Sequence, residues 1–163
     1  MNKVFTPNEL RAVANAMLKI GASKGIRMSK MKVIKLVYFA HGWCLGLSGK
    51  PLCSDPVEAW KFGPVFRKLY QALSLYRGDE IVNAPITDPF GDEFKPEKPF
   101  SEEETALIGK IIDVYSEFDA FQLSSLTHAK DSPWDKTVKD SGYAPIRNSY
   151  LCDFFKRKAE TNA

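Results

Sequence analysis

The chain has 163 residues, 44% of them hydrophobic and 26% charged, and a formal net charge of +3. That length supports one domain with its own core, and the composition is that of an ordinary globular protein, not a disordered or fibrous one. So small a charge excess gives no general affinity for nucleic acid or an anionic membrane unless cations gather locally.

In chain order, Thr6-Pro7-Asn8-Glu9 reads as a capping box with proline at the first helical position. Leu10, Val13, Ala14, Met17 and Leu18 follow as one apolar stripe, and Gly21 is the expected terminator. Ala22 to Met28 is a basic connection carrying Lys24 and Arg27. Ser29 then caps a second helix. Met31, Ile34, Tyr38 and Leu45 mark one of its faces, and Val33, Val37, Ala40 and Cys44 mark another. Little circumference is left for water, so this helix belongs at the centre of the domain. Lys32 and Lys35 are expected to escape along one narrow polar edge, and Gly46 to Gly49 ends the helix.

Pro51-Leu52-Cys53 and Val57 to Phe62 are short strand candidates on either side of Ser54-Asp55-Pro56. Such a hairpin must pack on helices to be stable. Gly63-Pro64 reads as the start of a third helix, with Val65, Leu69, Ala72 and Tyr76 in repeat and Arg77-Gly78 as its stop. Asp79 to Phe100 holds Pro85, Pro89, Pro96 and Pro99 and reads as a loop covering one side of the domain, free to move.

Ser101 to Glu104 is a second capping box, and Leu107, Ile111, Val114 and Phe118 are expected on the buried face of the helix after it. Asp119 caps a short helix through Leu126. Ser132-Pro133-Trp134-Asp135 starts another, which Ser141-Gly142 breaks. Asn148 caps a last helix with Tyr150, Leu151, Phe154 and Phe155, and a polar, frayed tail begins at Lys156. The expected fold is mainly α: a single compact helical domain over residues 1–158, with a small two-stranded β-hairpin and a disordered tail at 159–163.

Motifs for chemistry are sparse. His41 and Cys44 lie one helical turn apart, but a zinc site needs three or four ligands. Cys53, His128 and Cys152 would have to converge by folding, so no metal is expected. A nucleophilic Cys44 or Cys53 with His128 as base lacks any flanking motif of a hydrolase. Gly42, Gly46 and Gly49 do not follow a strand, so no dinucleotide fingerprint exists. Neither an enzymatic activity nor a cofactor is expected.

Lys24, Arg27, Lys30, Lys32 and Lys35 cluster in sequence and leave a nucleic-acid role open as a minority reading, against a solvated helix edge. His128 reads as a structural residue that hydrogen-bonds backbone carbonyls, with Trp134 packed beside it. Trp60, Phe62, Phe66 and Tyr70 concentrate aromatic area around Gly63-Pro64. Whatever part of it is exposed is the obvious binding patch.

Three cysteines leave one over if two pair, which argues against a disulfide framework and agrees with a reducing compartment. Met1 to Glu9 lacks a secretion-signal pattern. The apolar run Met31 to Leu47 is too short, and too interrupted by Lys32, Lys35 and His41, to span a bilayer. A cytoplasmic protein is the expectation.

At these residues the chain resembles the Panacea domain family, also described as SocA-like antitoxins or phage-associated GepA-like proteins. The likeness is carried by Met31 to Trp43, within it Lys35-Leu36, Tyr38, His41 and Gly42-Trp43. It continues through Gly49-Lys50-Pro51-Leu52, the run Val57-Glu58-Ala59-Trp60-Lys61-Phe62-Gly63-Pro64-Val65, Tyr70, Leu126-Thr127-His128, Pro133-Trp134 and the end near Tyr150 to Phe155. Val33-Ile34 and Cys44 depart modestly from the family pattern, and Asp79 to Phe100 carries no part of it. The resemblance implies a non-enzymatic, bacterial or prophage antitoxin that neutralises a cognate toxin encoded beside it. It also implies one alternative, an adaptor delivering the toxin to a Clp-type protease; a second alternative, a DNA-binding regulator, rests on the basic run from Lys24 to Lys35. Tyr38, His41, Trp43, Gly63, Pro64, His128, Pro133 and Trp134 are expected to be structural. Lys32, Lys35, Trp60, Lys61, Phe66 and Tyr70 are the expected partner-binding residues. The resemblance gives no oligomeric state.

Overall fold

The apolar circumference of the second helix decides the architecture. The computed structural model describes residues 7–77 and 80–161. Among them, seven helices and three short strands follow in order: α1 (Leu10–Ser23), α2 (Lys30–Ser48), β1 (Val57–Trp60), β2 (Gly63–Val65), α3 (Arg67–Ala72), α4 (Glu102–Tyr115), α5 (Ala120–Thr127), α6 (Pro133–Ser141), β3 (Pro145–Ile146) and α7 (Asn148–Thr161). This is the mainly helical fold with a small antiparallel sheet. Thirteen of the nineteen residues of α2 are buried, so it is the axis on which α1, α4, α5 and α7 pack. Ser29 Oγ accepts from the Lys32 amide at 3.2 Å, and Gly49 closes the helix in a left-handed conformation at φ 72°.

The closest helix pair, α2 with α7, depends on two glycines. A Cβ on Gly42 would lie 2.2 Å from the Phe155 ring, and one on Gly46 would lie 2.7 Å from the Phe155 backbone. Phe155 fills the space left free and meets Tyr38, Phe39 and Trp43 ring to ring. Phe39 stacks on Tyr115 of α4 at 4.1 Å, and Trp43 Nε1 donates to Tyr115 Oη at 2.9 Å. In this contact Tyr38 is buried and Trp43 half-buried.

The sheet has the order β2-β1-β3 and is antiparallel throughout, with Glu58 opposite Val65, Trp60 opposite Gly63, and Val57 opposite Ile146. Two expectations change here. Gly63-Pro64-Val65 forms β2 instead of opening a helix, and α3 begins only at Arg67. Proline is tolerated because β2 is an edge strand. The hairpin is also not the expected one: Val57–Trp60 pairs with Gly63–Val65 and not with Pro51-Leu52-Cys53, of which only Cys53 bridges, to Asn8, and a third strand, Pro145–Ile146, joins the sheet.

Other departures have local causes. The Asn8 amide and side chain both donate to the Leu52 carbonyl, at 2.9 and 3.1 Å, which holds Asn8 extended. The cap of α1 is therefore Glu9, whose carboxylate accepts from the Arg11 amide at 3.0 Å; Thr6 lies outside the described residues. The helix runs past Gly21 to Ser23 and turns at Gly25, φ 74°, and Gly21 instead gives Met28 room to pack. In α4 the capping box forms, but Ile108, Ile111, Ile112 and Tyr115 face the core and Val114 is exposed. The polar stretch from Lys156 continues α7 as helix to Thr161; Asn162 and Ala163 lie outside the described residues. No described helix is long and apolar enough to cross a membrane.

Residues 80–100 lack regular structure and cover α1, as their prolines suggest. Asn15, buried in α1, anchors them: its Nδ2 donates to the Ile86 and Phe94 carbonyls at 2.9 and 3.1 Å, and its Oδ1 accepts from the Ile86 amide at 2.7 Å. Asn15→Ala therefore leaves the Ile86 amide and the Phe94 carbonyl without their partner, while the Ile86 carbonyl keeps the bond from the Phe94 amide. The substitution is expected to cost about 2 kcal/mol and to speed hydrogen exchange at Ile86. Unchanged exchange there would show that the loop is held by other means.

Candidate functional site

The β1–β2 hairpin is held from behind by three helices. Trp134 Nε1 of α6 donates to the Trp60 carbonyl at 2.6 Å, Ser124 Oγ of α5 to the Phe62 carbonyl at 2.8 Å, and Lys35 Nζ of α2 to the Pro64 carbonyl at 3.0 Å. Every second carbonyl through the turn is thereby occupied. Each clamp has a sequence origin. Ser132 and Pro133 start α6 so that Trp134 faces the turn, the Asp119–Gln122 capping box sets the start of α5, and Ser29 fixes the phase of α2. Gly63 takes φ 122°, a conformation that favours glycine. A Cβ there would meet Lys35 Nζ at 2.8 Å, Thr127 Oγ1 at 3.1 Å and His128 Nδ1 at 3.6 Å, so Lys35, Gly63, Thr127 and His128 converge on one point.

This arrangement corrects the expected roles of several residues. Lys35 is fully buried and does not reach the surface along a polar edge. Burial pushes its pKa down to about 8, and among the described residues its ammonium donates one hydrogen bond, to the Pro64 carbonyl. Lys32 is half-buried, its ammonium bonded to the Ser116 carbonyl, and desolvation lowers its pKa against the opposing pull of Asp119. Phe66 is fully buried, its ring edge-on to His41 at 5.3 Å. Neither Lys35 nor Phe66 can touch a partner in this conformation. The basic run also disperses: Lys24 pairs with Asp113 at 2.9 Å, and Lys30 is buried under the Tyr70 ring at 4.0 Å. Among the described residues of this run only Arg27 stays exposed without an ion pair, too few cations for a phosphate-binding stripe.

What stays outside is aromatic. Phe62, at the hairpin tip, is 72% exposed, and Phe121, one helical turn before Ser124, is 80% exposed. Phe121 and Ser124 are three residues apart and share a side of α5, so both phenylalanines flank the Ser124–Phe62 bond. Lys61 is exposed and its Nζ lies 5.4 Å from the centre of the Phe62 ring. Trp60 is half-buried against Tyr70 at 5.1 Å, and Tyr70 is partly exposed. Of the six partner-binding residues expected from sequence, Trp60, Lys61 and Tyr70 thus lie at or near this surface. Phe121 and Ser124 were missed. Phe121 falls off the Leu123–Thr127 buried side of its helix, which was the available signal.

The two histidines stay within the core chemistry. His41 is buried and its Nδ1 accepts from the Cys53 amide at 3.2 Å. Burial pushes its pKa down to about 4. Asn148 pulls the other way but makes no well-formed hydrogen bond to Nε2. Among the described residues the buried His128 Nδ1 has no hydrogen-bond partner and the ring packs on Trp134 at 5.4 Å, so the expected bond to a backbone carbonyl is not made there. The Cys53 thiol is pushed well up by burial, which disfavours a thiolate. Among the described residues no three His, Cys, Asp or Glu side chains gather as metal ligands do.

The family described as "Antitoxin SocA-like, Panacea domain" matches residues 33–135, a range that contains every member of the clamp. Antitoxin SocA of Caulobacter vibrioides (strain NA1000 / CB15N) is 33% identical over 147 residues, covering 89% of this chain and 78% of its own length. No solved structure matches.

Proposed function

The chain belongs to the SocA-like antitoxin, Panacea-domain family, and from that membership we propose that it binds and neutralises a partner toxin encoded nearby, in the cytoplasm, without chemistry of its own. The observation that carries this reading is the clamped hairpin tip. A rigid turn with two exposed aromatic rings loses little freedom on docking, and such rings dominate interface energetics. The mechanism is occlusion: Phe62 and Phe121 anchor the toxin while Lys61, Trp60 and Tyr70 border the contact.

Co-expression with the product of the neighbouring gene tests it, reading growth rescue and complex formation. Phe62→Ala is expected to weaken the complex by about 2 kcal/mol, roughly thirtyfold, with no change in the folded spectrum. Absence of any complex, or full affinity after Phe62→Ala and Phe121→Ala together, would overturn the proposal or its surface respectively. Rescue that needs a Clp-type protease and leaves the toxin's intrinsic activity intact would replace occlusion by delivery.

A further inference from the structure

Ser124 lies in the second half of α5, half-buried, and its main chain serves the helix end. Its carbonyl accepts from Thr127 Oγ1 at 2.7 Å and from the His128 amide at 3.2 Å. A serine inside a helix ordinarily points its hydroxyl to solvent or back to the carbonyl four residues earlier. Ser124 Oγ does neither and donates across to the Phe62 carbonyl at 2.8 Å. The clamps from Trp134 and Lys35 hold Trp60 and Pro64, the strand residues on either side of the turn. The Ser124 bond is the one of the three that holds a residue of the turn itself. It also ties the hairpin to the helix that carries the other exposed ring, Phe121, three residues earlier on the same side.

We infer that Ser124 is a positioning residue for partner binding: its hydroxyl joins the Phe62 ring of the hairpin and the Phe121 ring of α5 into one two-pronged anchor of fixed spacing. The inference rests on the partner-binding reading above and adds what the partner must offer, two apolar recesses set at that spacing. Once one ring is seated, a rigid link presents the second at high effective concentration, whereas a loose link must be ordered at each encounter. The hydroxyl thus acts through Phe62 and supplies no contact of its own. Selectivity follows from the same geometry, because a partner with a single recess gains from only one ring.

The test compares the wild type, Ser124→Ala and Ser124→Thr, first as free full-length chains. Alanine suits a helix, so the folded spectrum and melting temperature are expected to stay unchanged. Amide order parameters at Lys61, Phe62 and Gly63 should fall in Ser124→Ala and return in Ser124→Thr, which keeps the hydroxyl. Binding is then measured against the product of the neighbouring gene. Ser124→Ala should weaken it about fivefold, and Ser124→Thr should stay within about twofold of the wild type. In the wild type, Phe62→Ala and Phe121→Ala together should lose less than the sum of the two single losses; with Ser124→Ala the losses should add. Unchanged order at the tip, equal binding by all three chains, or coupling that survives without the hydroxyl would overturn the inference. Loss of order at the tip in a chain that forms no complex would remove the toxin reading alone and leave the hold of Ser124 on Phe62 standing.

Discussion

Phe155→Ala is expected to destabilise the protein by about 3–5 kcal/mol in urea unfolding, since the ring fills the centre of the α2–α7 contact. The two glycines opposite it should then behave differently. Alanine in a helix interior ordinarily gains about 1 kcal/mol over glycine. At Gly42 that gain is overridden, because the new Cβ would sit 2.2, 2.6 and 2.7 Å from three atoms of the Phe155 ring. Gly42→Ala is expected to cost about 2 kcal/mol in the wild type. With Phe155 already cut to alanine those ring atoms are gone, so Gly42→Ala should become neutral or stabilising. Gly46→Ala has no such rescue: its neighbours are Phe155 Cβ at 2.6 Å and the backbone of Phe155 and Lys156 at 2.7 and 2.8 Å, all of which alanine at 155 retains. Equal costs for Gly42→Ala in both backgrounds would show that the ring does not set the helix separation.

That contact marks the boundary of what the sequence discloses. The burial of α2 is legible because apolar residues repeat on two of its faces, and its caps, Ser29 and Gly49, are local chemistry. The capping boxes at Ser101 and Asp119 are equally local and form as read. Glycine is ambiguous by contrast. Gly21 reads as a terminator and is instead a packing gap for Met28, and the difference lies in a residue seven positions away. Gly63-Pro64 reads as a helix start. It becomes an edge strand because Trp134, Ser124 and Lys35, from three separate helices, occupy the hairpin carbonyls. The site suffers most. A lysine in an apolar stretch is ordinarily assumed to reach water, and only the fold reveals a carbonyl waiting for Lys35 inside. The two exposed phenylalanines beside the hairpin tip, Phe62 and Phe121, look like core residues until their neighbours are known.

The buried Lys35 should make stability depend on pH in an unusual direction. Its folded-state pKa, about 8, lies below the ordinary 10.5 because burial penalises the ammonium. Below pH 8 both folded and unfolded chains carry the proton, and the folded state bears the full penalty. Between about 8 and 10.5 the unfolded chain holds more protons, so stability rises with pH as the folded amine gives up its charge, by roughly 3 kcal/mol across the window. Other groups oppose this: Tyr38 and Cys53 are raised by burial, so their neutral forms favour the folded state less as pH climbs through the unfolded values. Lys35→Met cancels those shared contributions. It removes the buried charge but leaves the Pro64 carbonyl without its donor, two effects of similar size, so at pH 7 its stability should lie within about 1 kcal/mol of the wild type. By pH 10 the wild type should exceed the variant by about 2 kcal/mol more than it does at pH 7. A difference that stays flat across this range would mean that water reaches Lys35, and that the hairpin tip is not held by a dry ammonium.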